Sequence, residues 1–145
     1  MSRQRSKARS IAVQAIYQWQ IAGQNVQDII NQFLAEHSEK KVDIDYFREI
    51  VQGVPSNLSR LDEVLSDHLD RSINSVDPVE RAVLRIAAYE LTTHPEIPYR
   101  VVINEAIELA KVFGAEQGHK YVNGVLDKAA KVLRPIEVNA HTGNA

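Results

Sequence analysis

An all-α fold in two packed halves, each a three-helix subdomain, is expected from three features of this 145-residue chain. Apolar residues recur at three-to-four spacing almost throughout, and alternating runs are nearly absent. Proline and glycine punctuate the apolar stripes. Residues able to cap a helix, Asn25, Asp43 or Asp45, and Asp77, stand where new stripes begin.

The first helix is predicted over residues 6–22, ending near Gly23. Ala8, Ile11, Ala12, Ala15, Ile16, Trp19 and Ala22 fall on one arc of its wheel, which makes Trp19 a core residue. A second helix begins at Asn25 and buries Val26, Ile29, Ile30, Phe33 and Leu34. After the polar connection "HSEKKVD", a third stripe runs through Phe47, Ile50, Val51, Val54, Leu58, Leu61, Leu65 and Leu69. It stays in phase across Pro55, which predicts a kinked helix or two abutting ones rather than a loop.

"DRSINSVDP" reads as the main internal boundary. Asp77 suits a cap, Pro78 the first helical position and Glu80 the third, close to a capping box. A helix over 78–93 follows, and "HPEIP" stops it. The next spans 99–113 with Gly114 as its C-cap. A last helix over 116–133 ends at Pro135. The chain therefore reads as one domain over 1–145: an N-terminal half (1–70), a C-terminal half (71–134) and a flexible tail (135–145).

Composition bounds the chemistry. At 44% hydrophobic and 25% charged residues the chain is globular. It has no cysteine, which excludes disulfides, cysteine-bound metals and thiol catalysis. No segment resembles a signal-peptide core or a membrane span, so a soluble cytoplasmic protein is expected. There is no phosphate-cradling glycine motif, and the five histidines show no paired spacing on a helix face. No catalytic residue, metal ligand or cofactor site is assigned, and the chain is not read as an enzyme. Glu90 lies within an apolar stripe, where a carboxylate needs a partner. It is read as a structural acceptor for the free N–H groups that open the 99–113 helix, in preference to a catalytic acid.

Charge is unevenly placed. Residues 1–27 hold four of the 17 Lys and Arg and none of the 19 Asp and Glu, although the whole chain carries a net charge of −2. Such asymmetry fits either a basic arm for nucleic acid or a solvated helix end. Arg3, Lys7, Ser10, Gln14 and Tyr17 form one stripe opposite the core arc. An aromatic ring in line with cations and amides is what single-stranded nucleic acid uses, phosphates meeting the cations while a base stacks. The other reading of Tyr17 is packing within the protein.

Four segments, "KARSIAVQAIYQWQ", "DYFREIVQGV", "VDPVERAVLRIAAYEL" and "IPYRVVINEAIELAKVFGAEQGHKYVNGVLDKAA", give a resemblance from about residue 5 to 134. The chain resembles the NusB family of bacterial transcription antitermination factors. The resemblance implies the two-subdomain helical fold and binding of single-stranded boxA RNA from ribosomal RNA operons. It also implies a partner, ribosomal protein S-ten (NusE), on the C-terminal half, and entry with NusA and NusG into the elongating RNA polymerase complex. The family's basic start matches Arg3, Arg5, Lys7 and Arg9, interrupted here by Gln4 and Ser6. With Gln14 from the outward stripe, the expected RNA face comprises those four, Tyr17, Glu80, Lys120 and Tyr121. Glu80 is expected to accept from a base amino group. Gln117 stands where some relatives carry an acid. Gly124, mid-helix, is read as a site of close helix approach. Monomer or weak homodimer is expected. The rival reading is a helical protein–protein adaptor without direct RNA recognition.

Overall fold

The computed structural model describes residues 3–37 and 41–142. These residues form eight α-helices and one 3-10 turn: α1 (Arg3–Ala22), α2 (Val26–Glu36), α3 (Ile44–Ser56), α4 (Leu58–Ser66), the turn Ile73–Ser75, α5 (Pro78–Thr93), α6 (Tyr99–Phe113), α7 (Gly118–Leu133) and α8 (Pro135–Thr142). No strand occurs among them.

Helix starts follow the residues that can cap them. Asn25 Oδ1 accepts from the Asp28 N–H at 3.2 Å, and Asp43 Oδ1 from Tyr46 at 3.0 Å. Asp77 Oδ2 accepts from Val79 and Glu80 at 3.0 and 3.2 Å. Each bond satisfies an N–H that has no partner within its own helix. Gly23 closes α1 at φ +66°, a conformation that a Cβ disfavours. The stripe through Pro55 resolves as two abutting helices. The missing N–H and ring of Pro55 end α3 at Ser56. Asn57 then turns the chain, its side-chain amide donating to Gly53 O at 2.8 Å, and α4 follows at once.

Three expectations about the helices need correction. α1 begins by Arg3, three residues earlier than its apolar pattern suggests. α7 starts at Gly118 rather than 116, because the chain first makes a turn in which the Gly118 N–H donates to Ala115 O at 2.9 Å. Pro135 does not release a tail. Arg134 breaks α7, and Pro135 opens α8, where its missing N–H has no consequence. Val138 is buried, and Glu137 Oε2 accepts from the Tyr99 N–H at 2.8 Å. The expected tail is thus a docked helix to Thr142, and residues 143–145 lie outside the described ones.

α5 is the centre of the molecule. Its residues 82–91 are all buried, and it packs against α1, α3, α4, α6 and α7. α1 joins the halves by packing on α2 and α3 on one side and on α5 and α6 on the other. α4 leans on α5 and α7 as well as on α3. Fully buried side chains such as Leu61, Leu65, Leu84 and Leu126 each contribute about 1.5–3 kcal/mol by leaving water. Trp19, expected in the core, is half-buried against it.

Glu90 is structural, but through different partners from those expected. It faces α1 and α3, where Arg9 Nε donates to its two oxygens at 3.1 and 2.9 Å and the Tyr46 hydroxyl also donates. The free N–H at the start of α6 goes instead to Glu137.

Candidate nucleic-acid interface

The four cations of α1 divide by helical phase. Arg3 and Lys7 are exposed. Arg5 is half-buried, its guanidinium 4.1 Å from the centre of the Tyr46 ring and its Nε 3.8 Å from Asp43 Oδ2. Arg9 is 1% exposed and pairs with Glu90 and with Glu105 Oε1 at 3.1 Å. Burial opposes its charge, but Glu90, with smaller help from Tyr46 and Glu105, more than offsets this and raises the guanidinium pKa. Burial and then the Glu90 carboxylate push the Tyr46 phenol well above its ordinary value, so it stays neutral and donates. Arg9 therefore does not belong to the outward basic face on which it was expected. The cause is legible in the wheel: it stands three residues before Ala12 and seven before Ile16, both core residues.

Tyr17 is outward, 40% exposed. It borders a depression of about 410 Å³ lined by Val13, Gln14, Gln18, Ile21, Phe33, Val79 and Phe113. Gln14 is half-buried, its amide donating to Ser10 O at 3.3 Å. The depression is mainly apolar with amides at its edge, and Ile21 beside the ring is 57% exposed. Tyr17 lies about 21 Å along α1 from Arg3, at 1.5 Å per residue.

The first turn of α5 links Tyr17 to α7. Gln20 donates to Pro78 O at 2.9 Å, fixing the end of α1 on that turn. Val79 lines the Tyr17 depression, while Glu80 turns inward against Gly118. A Cβ on Gly118 would stand 2.3 Å from Glu80 Oε2, so only glycine fits there without moving the carboxylate. Glu80 is buried, which with the nearby Asp77 raises its pKa against the opposing pull of Arg71. Expected as an open acceptor for a base, it is instead largely enclosed. The same inward turn keeps it from closing a capping box with Asp77.

Two residues beyond Gly118, Lys120 is exposed. Tyr121 is half-buried, its hydroxyl donating to Asp70 Oδ1 at 3.1 Å. Burial and then Asp70 raise its pKa. A Cβ on Gly124 would meet no atom within 4 Å, so the close helix approach expected there is absent. The glycine instead leaves a surface depression open. Gln117 is exposed at the start of α7. Among the described residues no cluster of three or more His, Asp or Glu is arranged to hold a metal ion, and no helix is long and apolar enough to cross a membrane.

The arrangement thus sets an outward ring, Tyr17, beside the start of α5 and a half-buried ring, Tyr121, on α7, with exposed cations on α1 and α7. The family model described as "NusB family" matches residues 6–131. The chain belongs to the NusB family. The transcription antitermination protein NusB of Nitrosococcus oceani is 57% identical over 137 residues, 94% of this chain and 92% of that protein. NusB of Shewanella loihica is 56% identical over 125 residues, 86% of this chain and 93% of that protein. Among solved structures, T. maritima NusB superposes with a TM-score of 0.81 at 37% identity, covering 90% of this chain and 93% of that one. A crystal structure of antitermination factors NusB and NusE in complex with dsRNA matches with a TM-score of 0.83 at 28% identity, covering 91% and 99%.

Within this NusB fold, the start of α5 adjoins Tyr17 through Val79 and α7 through Glu80 against Gly118, while Arg3 and Lys7 stand at the far end of α1. Two features escaped the sequence reading. One is the apolar depression beside Tyr17, which draws Phe33 and Phe113 from stripes that read simply as core. The other is Arg71, whose guanidinium lies 5.0 Å from the centre of the Tyr121 ring. It sits in a polar loop with no periodicity to point it anywhere.

Proposed function

We propose that this chain is a transcription antitermination factor that binds single-stranded boxA RNA of ribosomal RNA operons together with ribosomal protein S-ten (NusE). The pair joins NusA, NusG and elongating RNA polymerase in the cytoplasm. The observation that carries this reading is the likeness to antitermination proteins along nearly the whole chain, and the outward Tyr17 ring supplies the chemistry.

The mechanism is recognition without catalysis. Arg3, Lys7 and Lys120 attract phosphate, while Tyr17 and Tyr121 offer faces to unpaired bases. Arg9 is engaged inside the fold and half-buried Arg5 is held against Tyr46 and Asp43, so the charge available to RNA is smaller than the run of four suggests. Phosphate contacts by Arg3, Lys7 and Lys120 contribute about −2 to the slope of log K against log salt for a single strand. The body around this face is acidic, so a basic partner strengthens the contact, and RNA and NusE tighten each other's binding by the same factor. The protein acts as a monomer or weak homodimer.

Gel shifts with boxA RNA, scrambled single strands and a duplex, each with and without NusE, test the reading. Preference for boxA that grows with NusE is the expected result. Equal retention of all three RNAs overturns it, as does retention of none, and the second result favours the helical adaptor, a reading to which the apolar depression beside Tyr17 lends itself.

A further inference from the structure

The loop between α4 and α5 carries two residues, Asp70 and Arg71, that neither the basic start of α1 nor the family likeness assigns, and they meet Tyr121 of α7. Arg71 Nε and Nη2 donate to the two oxygens of Asp70 at 2.7 and 2.9 Å. The Tyr121 hydroxyl donates to Asp70 Oδ1 at 3.1 Å. The Arg71 guanidinium lies over the Tyr121 ring, 5.0 Å from its centre. Asp70 lines, with His68, Lys120, Tyr121 and Lys128, a depression of about 270 Å³ that Gly124 leaves open.

Asp70, Arg71, Lys120 and Lys128 are all exposed. A guanidinium fork and a phenol hydroxyl converging on one anion form the donor set that holds phosphate oxygens. The anion they hold here is the chain's own. It is the single carboxylate lining a depression that carries two lysines, and Arg71 reaches it from over the Tyr121 ring. The Arg71 hydrogen bonds hold Asp70 ionised far below neutral pH, down at about 2. An exposed pair of this kind is weak and exchanges its partner readily.

We propose that in the free protein Asp70 occupies the place of an RNA phosphate, and that Arg71 and Lys128 are RNA-binding residues that complete a subsite with Lys120 and Tyr121. This rests on the RNA reading above. On binding, a phosphate takes the Arg71 fork and the Tyr121 hydroxyl, and Asp70 turns to solvent. The same step lets a base share the Tyr121 ring with the guanidinium, since both stack on aromatic faces.

The test is titration of the full chain with boxA RNA and with scrambled RNA over a range of salt, for wild type, Asp70→Asn, Arg71→Ala and Lys128→Ala. Removing the competing anion in Asp70→Asn tightens boxA binding about threefold to tenfold. Arg71→Ala weakens it about tenfold and Lys128→Ala about threefold, and each flattens the log–log salt slope by about 0.7. Thermal midpoints stay at the wild-type value, because none of the three side chains is buried. Asp70→Asn binding more weakly than wild type, or unchanged, overturns the proposal, as does an unaltered salt slope in Arg71→Ala. Wild type binding boxA while the variants match it sinks this subsite alone. Wild type failing to prefer boxA over scrambled RNA sinks the underlying reading and the subsite with it.

Discussion

Arg9 of α1 and Glu90 of α5 form a buried ion pair, Nε donating at 2.9 Å to Oε2, with side chains only 1% and 2% exposed. They are 81 positions apart in the chain. Burying two charges is favourable only when both are held by further hydrogen bonds. Here Tyr46 from α3 and Glu105 from α6 supply those bonds, so one cluster ties four helices together. Arg9→Ala leaves Glu90 with Tyr46 alone and is expected to cost about 3–5 kcal/mol. Urea unfolding measures this. Replacing both charges, in Arg9→Met with Glu90→Leu, recovers part of the loss. A midpoint near wild type for Arg9→Ala alone would show that the pair does not hold the halves.

Tyr17 makes the opposite prediction. Its ring is outward, so Tyr17→Ala is expected to weaken boxA binding by about 1–3 kcal/mol, the usual value of one stacked base. The thermal midpoint should move little. Fluorescence titration and a melting curve on the same sample separate the two effects. A large drop in midpoint at constant affinity would mean that the ring serves the apolar depression instead.

These two residues show what the sequence made legible. The helical stripe sorted Tyr17 to the outside correctly, because a long helix imposes one phase on all its residues. The same phase places Arg9 with Ala12 and Ile16, yet its charge invited an outward reading. A buried guanidinium is intelligible only when its carboxylate is known, and Glu90 lies 81 positions away. The helices from Asn25 onward were legible because caps and prolines are local signals. α8 was not, since a short helix next to a proline looks like a tail until Glu137 caps α6 at Tyr99 and Val138 is buried. Glu80 and Gly124 were misread for a related cause: their surroundings are set by how α5 and α7 approach each other, which no single helix encodes.

Gly53 faces the Tyr89 ring so closely that a Cβ would lie 2.5 Å from ring carbon Cε1. The ring is rigid and buried, and its hydroxyl donates to Glu49 at 2.7 Å, so it has little freedom to yield. Gly53→Ala is expected to destabilise by about 1–3 kcal/mol, the usual cost of overpacking. The rise of the Tyr89 phenol pKa to about 12, caused by burial and then by Glu49, should shrink as the ring is displaced. Denaturant midpoints and an alkaline titration followed at the tyrosine absorbance check both. Wild-type values in both would show that α3 and α5 part without resistance.

Removal of residues 135–145 tests the docked helix. Glu137 Oε1 accepts from Arg134 Nη1 at 2.7 Å, while Oε2 caps α6. Arg134 in turn donates to the carbonyls of Leu91, Ile97 and His94 at 2.9–3.0 Å. Glu137→Ala, which removes the cap and the Arg134 pair together, is expected to cost about 1–2 kcal/mol. The truncation should cost more, since it also uncovers the site of Val138. Equal stability of truncated and full chains would restore the tail reading.

His94 gives the molecule a pH dependence whose sign is fixed by geometry. Its Nδ1 lies 2.6 Å from Glu96 Oε2, and its Nε2 touches a Glu49 oxygen. A neutral imidazole has only one N–H, so carboxylates on both nitrogens require the charged ring. Burial opposes that charge, but Glu96 and then Glu49 outweigh it, and the pKa lies above the ordinary 6.5. The rings of Tyr46 and Tyr89 meet His94 edge-on and add no charge at neutral pH. The folded state therefore holds a proton that the unfolded chain releases near pH 6.5. The stabilisation is complete below that pH and is lost as pH rises through the folded value. Urea midpoints should fall across this window in wild type. Glu96→Gln removes an exposed carboxylate that favours the proton, so the fall should become shallower and begin at lower pH. Identical profiles for the two proteins would place the pH dependence elsewhere and leave the His94 bridge without an energetic role.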